Sequence, residues 1–208
     1  PPRSTLFPTR RSSDLGPFQS PKGMSISEKM CWFAMRATYS RELDIKYKLD
    51  LKGINSFIPM RYEVRMDGKH KKRELVPVIH NLIFVHATQT DLQEIKSKIS
   101  YLQYMTDSRS GEKIIVPDEQ MKNFIAVAGT YSEHLLYFNP GEINLAKGTK
   151  VRITGGQFEG YEGVFVKVKG SRDRRVVISL QGILALAMAT LSPDLIEVIE
   201  EPKKRNHD

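Results

Sequence analysis

The sequence predicts an α+β domain, a mostly antiparallel sheet flanked by helices, followed by a small all-β barrel. Two observations predict it. Along residues 29–129 the apolar pattern changes period in the order strand, helix, hairpin, helix, strand, helix. From Lys147 to Glu200 a polar–apolar alternation enters a glycine-punctuated turn (Gly155, Gly156, Phe158, Gly160, Gly163) and leaves through Val164 to Val168. That pattern describes two strands joined by a turn whose positive-φ positions suit glycine. The chain has 208 residues, 40% hydrophobic and 27% charged, a composition that suits one large soluble domain or two modest ones.

Residues 1–23 carry clustered Pro, Ser, Gly and Arg without periodicity and are expected to be a non-native or disordered leader. The string Ser4 to Leu15 reads like a translated sequencing adapter, which makes Met24 the expected start. Cys31 to Ala37 is a short apolar run, most simply a buried strand. From Ser40, the expected N-cap, Leu43, Tyr47, Leu51 and Ile54 mark the inward stripe of a helix ending near Gly53. Asn55 to Met66 reads as a strand with Pro59 at its beginning or on an edge, and Asp67-Gly68 signals a hairpin. The return limb runs through Lys69-His70-Lys71-Lys72-Arg73 into Leu75 to His86.

Asp91 to Ile99 forms a second helix with Leu92, Ile95 and Ile99 on one stripe. Strands are expected at 101–106 and 113–116 around a turn at 108–111. Pro117-Asp118 starts a third helix with Met121, Phe124, Ile125 and Ala128 inward. Residues 130–146 read as a linker, 147–200 as the barrel and 201–208 as a charged tail. Within the barrel, Ile183 to Ala189 alternates large and small residues as a strand does, yet is rich in helix formers.

The net charge of +8 points to acidic partners, nucleic acid first. The leader holds Arg3, Arg10, Arg11 and Lys22 against Asp14, so the rest is only mildly basic. No apolar run reaches a membrane span, and the single cysteine, Cys31, fits a reducing cytoplasm. His80 and His86 could share a strand face, but no further Cys, His or acidic cluster completes a metal shell. With no catalytic or phosphate-cradling pattern, the sequence predicts no enzyme, cofactor or metal. The cations expected to meet nucleic acid are Lys69, Lys71, Lys72 and Arg73 at the hairpin, with Arg36 and Arg41 as additions. Lys48 is a further, weaker one.

The stretch Val151 to Val164 resembles the KOW motif of small five-stranded barrels, with Gln157 where that motif has proline. Upstream come Trp32-Phe33-Ala34-Met35-Arg36, then Phe57-Ile58-Pro59-Met60, the basic hairpin, and Pro77-Val78-Ile79-His80-Asn81-Leu82-Ile83-Phe84-Val85. In this order they resemble the NusG family of transcription elongation factors over Cys31–Glu200. The spacing of Asn55 to Met60, with Asn81 and Val116-Pro117, is similar to the specialised RfaH-like members and above all to UpxY antiterminators of capsular polysaccharide operons.

The resemblance implies that the first domain docks an apolar depression, lined by Val78, Ile79 and Leu82, on the clamp helices of RNA polymerase. His80 and Leu82 depart from the family's proline and tyrosine. It also implies contact with non-template DNA, recruitment of a ribosome or termination factor by the KOW barrel, and action as a monomer. Thr88-Gln89-Thr90 sits where RfaH-like proteins touch a second polymerase element, but an N-cap for the following helix is the simpler expectation. In RfaH the C-terminal domain can also fold as a helical hairpin that masks the polymerase site. The rival readings are a housekeeping NusG-like factor and a KOW-type RNA- or ribosome-binding structural protein.

Overall fold

In the computed structural model the described residues are 28–138, 142, 144–156, 158–167, 174–180, 183–188 and 193–200. The expected leader, the tail, Gln157, Val168 and the Asn139-Pro140-Gly141 segment lie outside them. The first part of the chain forms β1 (Cys31–Ala37), α1 (Glu42–Asp50), β2 (Ser56–Phe57), β3 (Met60–Asp67), β4 (His70–Pro77), β5 (Leu82–Ala87), α2 (Gln89–Lys98), β6 (Leu102–Tyr104), β7 (Ile115–Val116) and α3 (Asp118–Ala128). The remainder forms β8 (Leu136–Phe138), β9 (Thr149–Ile153), β10 (Glu162–Lys167), β11 (Arg174–Leu180), β12 (Leu184–Ala187) and β13 (Ile196–Glu200).

β1 is the spine of the first sheet, pairing antiparallel with β5, β6 and β7, while β2 adds to β5. Both faces of this sheet are buried, which is why β1 and β5 read as continuous apolar runs rather than alternations. Trp32, Ala34, Leu82 and Phe84 face Met121, Phe124, Val127 and Ala128 of α3. Phe33, Met35, Ile83 and Val85 face Ile45 and Leu49 of α1 and Leu92 and Ile95 of α2. Thr88 caps α2, its hydroxyl accepting the Asp91 N–H at 3.1 Å.

The first helix departs from expectation in two ways. Its buried side chains are Glu42, Ile45 and Leu49, whereas Leu43, Tyr47 and Leu51 are exposed. Its N-terminal flank is Arg41 rather than Ser40, because Ser40 is in the left-handed region (φ 52°) and donates its N–H to Asn81 Oδ1 at 2.8 Å.

The second sheet is six-stranded and antiparallel in the order β13-β9-β10-β11-β12-β8. The glycine turn joins β9 to β10 as expected, with Gly156 (φ 83°) and Gly160 (φ 85°) in the left-handed region. Gly163 serves a different end. A Cβ there would lie 2.6 Å from Val176 Cγ1 and 2.9 Å from the Val177 carbonyl oxygen, so its absence lets β10 close on β11. Within the segment that alternates large and small residues, Leu184–Ala187 forms β12, and the described residues of the C-terminal part make strands and short 3-10 turns rather than a helical hairpin. β8 comes from residues 130–146 and pairs Leu136, Tyr137 and Phe138 with Ala187, Leu186 and Ala185. Val151, Ile153, Val176, Ile178 and Ile183 share one buried cluster with α3 and the first sheet.

Candidate functional site

Where β1 ends and β5 begins, a depression of about 490 Å³ opens between Arg36, Tyr39, Ile79, His80, Leu82 and Ile183, with Thr38, Asn81 and Met105 completing it. Leu82 sits on its floor at 2% exposure and Ile79 is half-buried. The structure therefore brings Ile79 and Leu82 together with Arg36, a cation expected to meet nucleic acid. Val78 is half-buried, donates its N–H to the Pro59 carbonyl at 2.8 Å, and is not among the lining residues.

The rim is built from strained backbone. Tyr39 (φ 64°), Ser40 (φ 52°) and Asn81 (φ 65°) are non-glycine residues in the left-handed region, each costing about 1–3 kcal/mol, and such strain collects at binding and switch sites. Asn81 stabilises the arrangement by accepting from Ser40 N–H with its side chain and from Ala37 N–H with its carbonyl at 2.9 Å. It leaves Tyr39 almost fully exposed, at 86%. Behind the rim Glu42 is buried, one carboxylate oxygen 3.9 Å from His80 Nδ1 and the other without a partner among the described residues. Sequence periodicity gives no sign of Tyr39, Met105 or Ile183, which lie in segments distant from the apolar–proline blocks.

The remaining cations fall in two further places. β3 and β4 pair over eight residues as a two-stranded ribbon outside both main sheets. Opposed residues of an antiparallel pair share a face, and the register sorts the basic cluster. Lys71 pairs with Met66 and Arg73 with Val64, while Lys72 pairs with Arg65 on the opposite face. Lys72 is held by Glu74 at 2.9 Å, and its ammonium keeps the Glu74 carboxyl below the usual carboxylate range. Arg73 lies 4.1 Å above the Tyr62 ring and donates to Glu133 at 2.6 Å. The four cations are thus not one acid-free cluster.

Arg41 belongs to a separate knot on α1. Its guanidinium lies 4.9 Å over the Tyr101 ring. Tyr101 donates its hydroxyl proton to Asp44 at 2.6 Å and accepts from the Lys48 ammonium, which also donates to Asp44 at 2.9 Å. The Tyr101 hydroxyl and then Lys48 hold the Asp44 carboxyl low, and the Tyr101 hydroxyl and then Asp44 raise Lys48.

In the glycine turn, Phe158 packs on the shared core and stands 6.4 Å from the Tyr161 ring. Leu195 approaches Gly155, leaving 3.1 Å to the position of an added Cβ. Glu162 is held below the carboxylate range by Arg152 at 2.7 Å, with Lys150 at 3.3 Å. His80 and His86 do not share a strand. His80 lies in the turn before β5, and His86, within it, stacks on Trp32 at 4.9 Å. Among the described residues no group of three His, Cys, Asp or Glu side chains could hold a metal, and no helix is long and apolar enough to cross a membrane.

Residues 30–125 match the family model "Transcription termination factor nusG". Among solved structures, NusG of Thermotoga maritima is 20% identical, with 84% of this chain and 99% of that one covered and a TM-score of 0.43. A chain of the MjSpt4:Spt5 complex in conformation B is 16% identical, with 83% and 99% covered and a TM-score of 0.24. No curated protein matches the sequence. What the family model covers is β1 through most of α3, including the strained rim, the ribbon and the Pro77–Val85 segment. Residues 30–125 are a NusG-family domain.

Proposed function

We propose that this chain is a non-catalytic transcription elongation and antitermination factor that binds elongating bacterial RNA polymerase. The observation that carries it is the depression in which Ile79, Leu82 and Arg36 meet, within the residues that match the NusG family. An apolar floor with a cationic and aromatic rim fits an amphipathic helical surface with acidic flanks, such as the polymerase clamp helices. Bound there, the protein favours a pause-resistant polymerase by population shift, stabilising one of two states rather than performing chemistry. Ile183 already lines that depression, so polymerase engagement displaces the C-terminal unit from it.

The finer features follow the same reading. Residues 29–129 act as the polymerase-binding unit of a cytoplasmic monomer, with the ribbon cations near non-template DNA. Residues 147–200, a KOW-type barrel reached through 130–146, recruit a ribosome or termination factor. RfaH-like, UpxY-type action at selected capsular polysaccharide operons rests on the Asn55–Met60 spacing and Asn81. A general housekeeping role is the alternative. RNA binding by the barrel alone is disfavoured because Glu162 already neutralises Arg152 and Lys150.

The test is co-migration of the chain with a reconstituted elongation complex from a Bacteroides-type bacterium. Ile79→Asp and Arg36→Ala should abolish or weaken binding while unfolding cooperatively like the parent. Undiminished binding by both variants contradicts the proposal.

A further inference from the structure

The β3–β4 ribbon has two unlike faces. On one, Arg61, Glu63, Arg65, Lys72 and Glu74 form a ladder of ion pairs: Arg61–Glu63 at 2.6 Å, Arg65–Glu63 at 3.8 Å and Lys72–Glu74 at 2.9 Å. On the other, Val64 (65% exposed) and Met66 (63%) lie beside Arg73 and Lys71. Lys71, and Lys69 at the tip, make no ion pair with a described residue. Met60 to Pro77 carries six Lys and Arg residues besides His70, and the register turns the unpaired part of that charge toward the apolar face and the tip.

We infer that this face of the ribbon is a groove-binding site for duplex nucleic acid, with Lys69 and Lys71 on phosphates and Val64 and Met66 against the groove wall. The inference deepens the nucleic-acid part of the proposed function and rests on it. Eight paired residues span roughly 27 Å, and the duplex major groove, about 12 Å wide, admits a two-stranded ribbon. A single strand fits less well, because such sites stack bases on free aromatic rings. The one ring on this face, Tyr62, is covered by Arg73 and meets Tyr131 edge-on at 6.4 Å near the root, and the exposed His70 imidazole at the tip pairs with Asp67 on the ion-pair face, so no free ring stands beside Val64 and Met66. The opposite face, already neutralised, has little counterion release to gain from phosphates.

The experiment is fluorescence anisotropy of the full chain with a labelled DNA duplex of about two helical turns and with a single strand of equal length, across salt concentrations. The duplex should bind more tightly. Lys69→Ala with Lys71→Ala should weaken duplex binding and reduce the salt slope by about 2, one for each phosphate no longer neutralised. Lys72→Ala should leave both within about twofold, and Met66→Ser should weaken binding with the slope unchanged.

Equal losses from Lys71→Ala and Lys72→Ala would show a diffuse charge effect and overturn the inference. So would tighter binding of the single strand, or no duplex binding at low salt. Ile79→Asp separates this result from the polymerase reading: it should bind duplex like the parent while losing the elongation complex. Failure of the duplex arm alone leaves the polymerase site standing.

Discussion

The first sheet and the β3–β4 ribbon are both antiparallel, yet they are stabilised by opposite means. Every β1 residue except Cys31 and Arg36 is buried, and helices cover both faces. No ribbon residue beyond Met60 is fully buried: Leu75 packs at the edge of the core near the root, and the outer half is held by cross-strand pairs and an ion-pair ladder. Burial tolerates no change of volume, whereas exposed pairs contribute little each and leave side chains free to meet a partner. Contact with a partner is therefore expected at the ribbon and at the strained rim rather than in the sheet interior.

The largest loss of stability is expected in the core. Phe84→Ala, which removes a ring packed on Phe124 at 6.1 Å, should cost about 3–5 kcal/mol in denaturant unfolding. Val64→Ala on the ribbon should stay within about 0.5 kcal/mol. Equal effects would show that the ribbon is packed in solution.

Next comes Gly163→Ala. Its added methyl meets Val176 and the Val177 backbone, so strands β10 and β11 must part, at about 1–3 kcal/mol. The same substitution at Gly68, where an added Cβ meets nothing, involves only the strain of its φ of 59°. Thermal unfolding of both variants distinguishes close approach from backbone strain.

Tyr137 gives a pH-dependent effect. Its buried hydroxyl has no partner among the described residues, and burial pushes its pKa up to about 12. A raised folded pKa means the contribution is complete below pH 10, the ordinary tyrosine value, and is lost as pH rises through about 12. Stability should fall over that window, and Tyr137→Phe should flatten the fall without destabilising the protein at neutral pH. An unchanged alkaline profile would place the hydroxyl in water.

The smallest effect belongs to Glu74. Lys72 lowers its pKa, so the pair contributes above the ordinary carboxylate range and is lost as pH falls through the depressed value. Lys72 is exposed and Glu74 is open to solvent over about a third of its side chain, so added salt should erase this acid dependence. Persistence in high salt would mean that the ladder is more than screened surface charge.

How much of the fold is legible in the sequence depends on whether the deciding interaction is local. The turn at Gly156–Gly160, the Thr88 cap and the succession of strands and helices along the chain follow from short-range chemistry and match expectation. Helix α1 does not, because it has two apolar stripes, Leu43/Tyr47/Leu51 and Ile45/Leu49, and periodicity does not say which faces the sheet. Ser40 has the side chain of an N-cap, but Asn81, 41 positions along, accepts its N–H and holds it in the left-handed region.

The depression is half legible. Ile79 and Leu82 belong to the Pro77–Val85 block, while Ile183 arrives from a distant segment beside the second sheet. The ribbon's sorting is within reach of the sequence. A two-residue turn at Gly68-Lys69 pairs Asp67 with His70, and alternation then sets Lys71 and Lys72 on opposite faces.

Hydrogen exchange of the full chain with and without the elongation complex shows whether the Ile79–Leu82–Arg36 depression is the polymerase surface. Slower exchange at residues 36–40 and 79–82, with faster exchange around Ile183 as it leaves the depression, is the predicted result. Unchanged exchange at 36–40 and 79–82 in a complex that does form would contradict it.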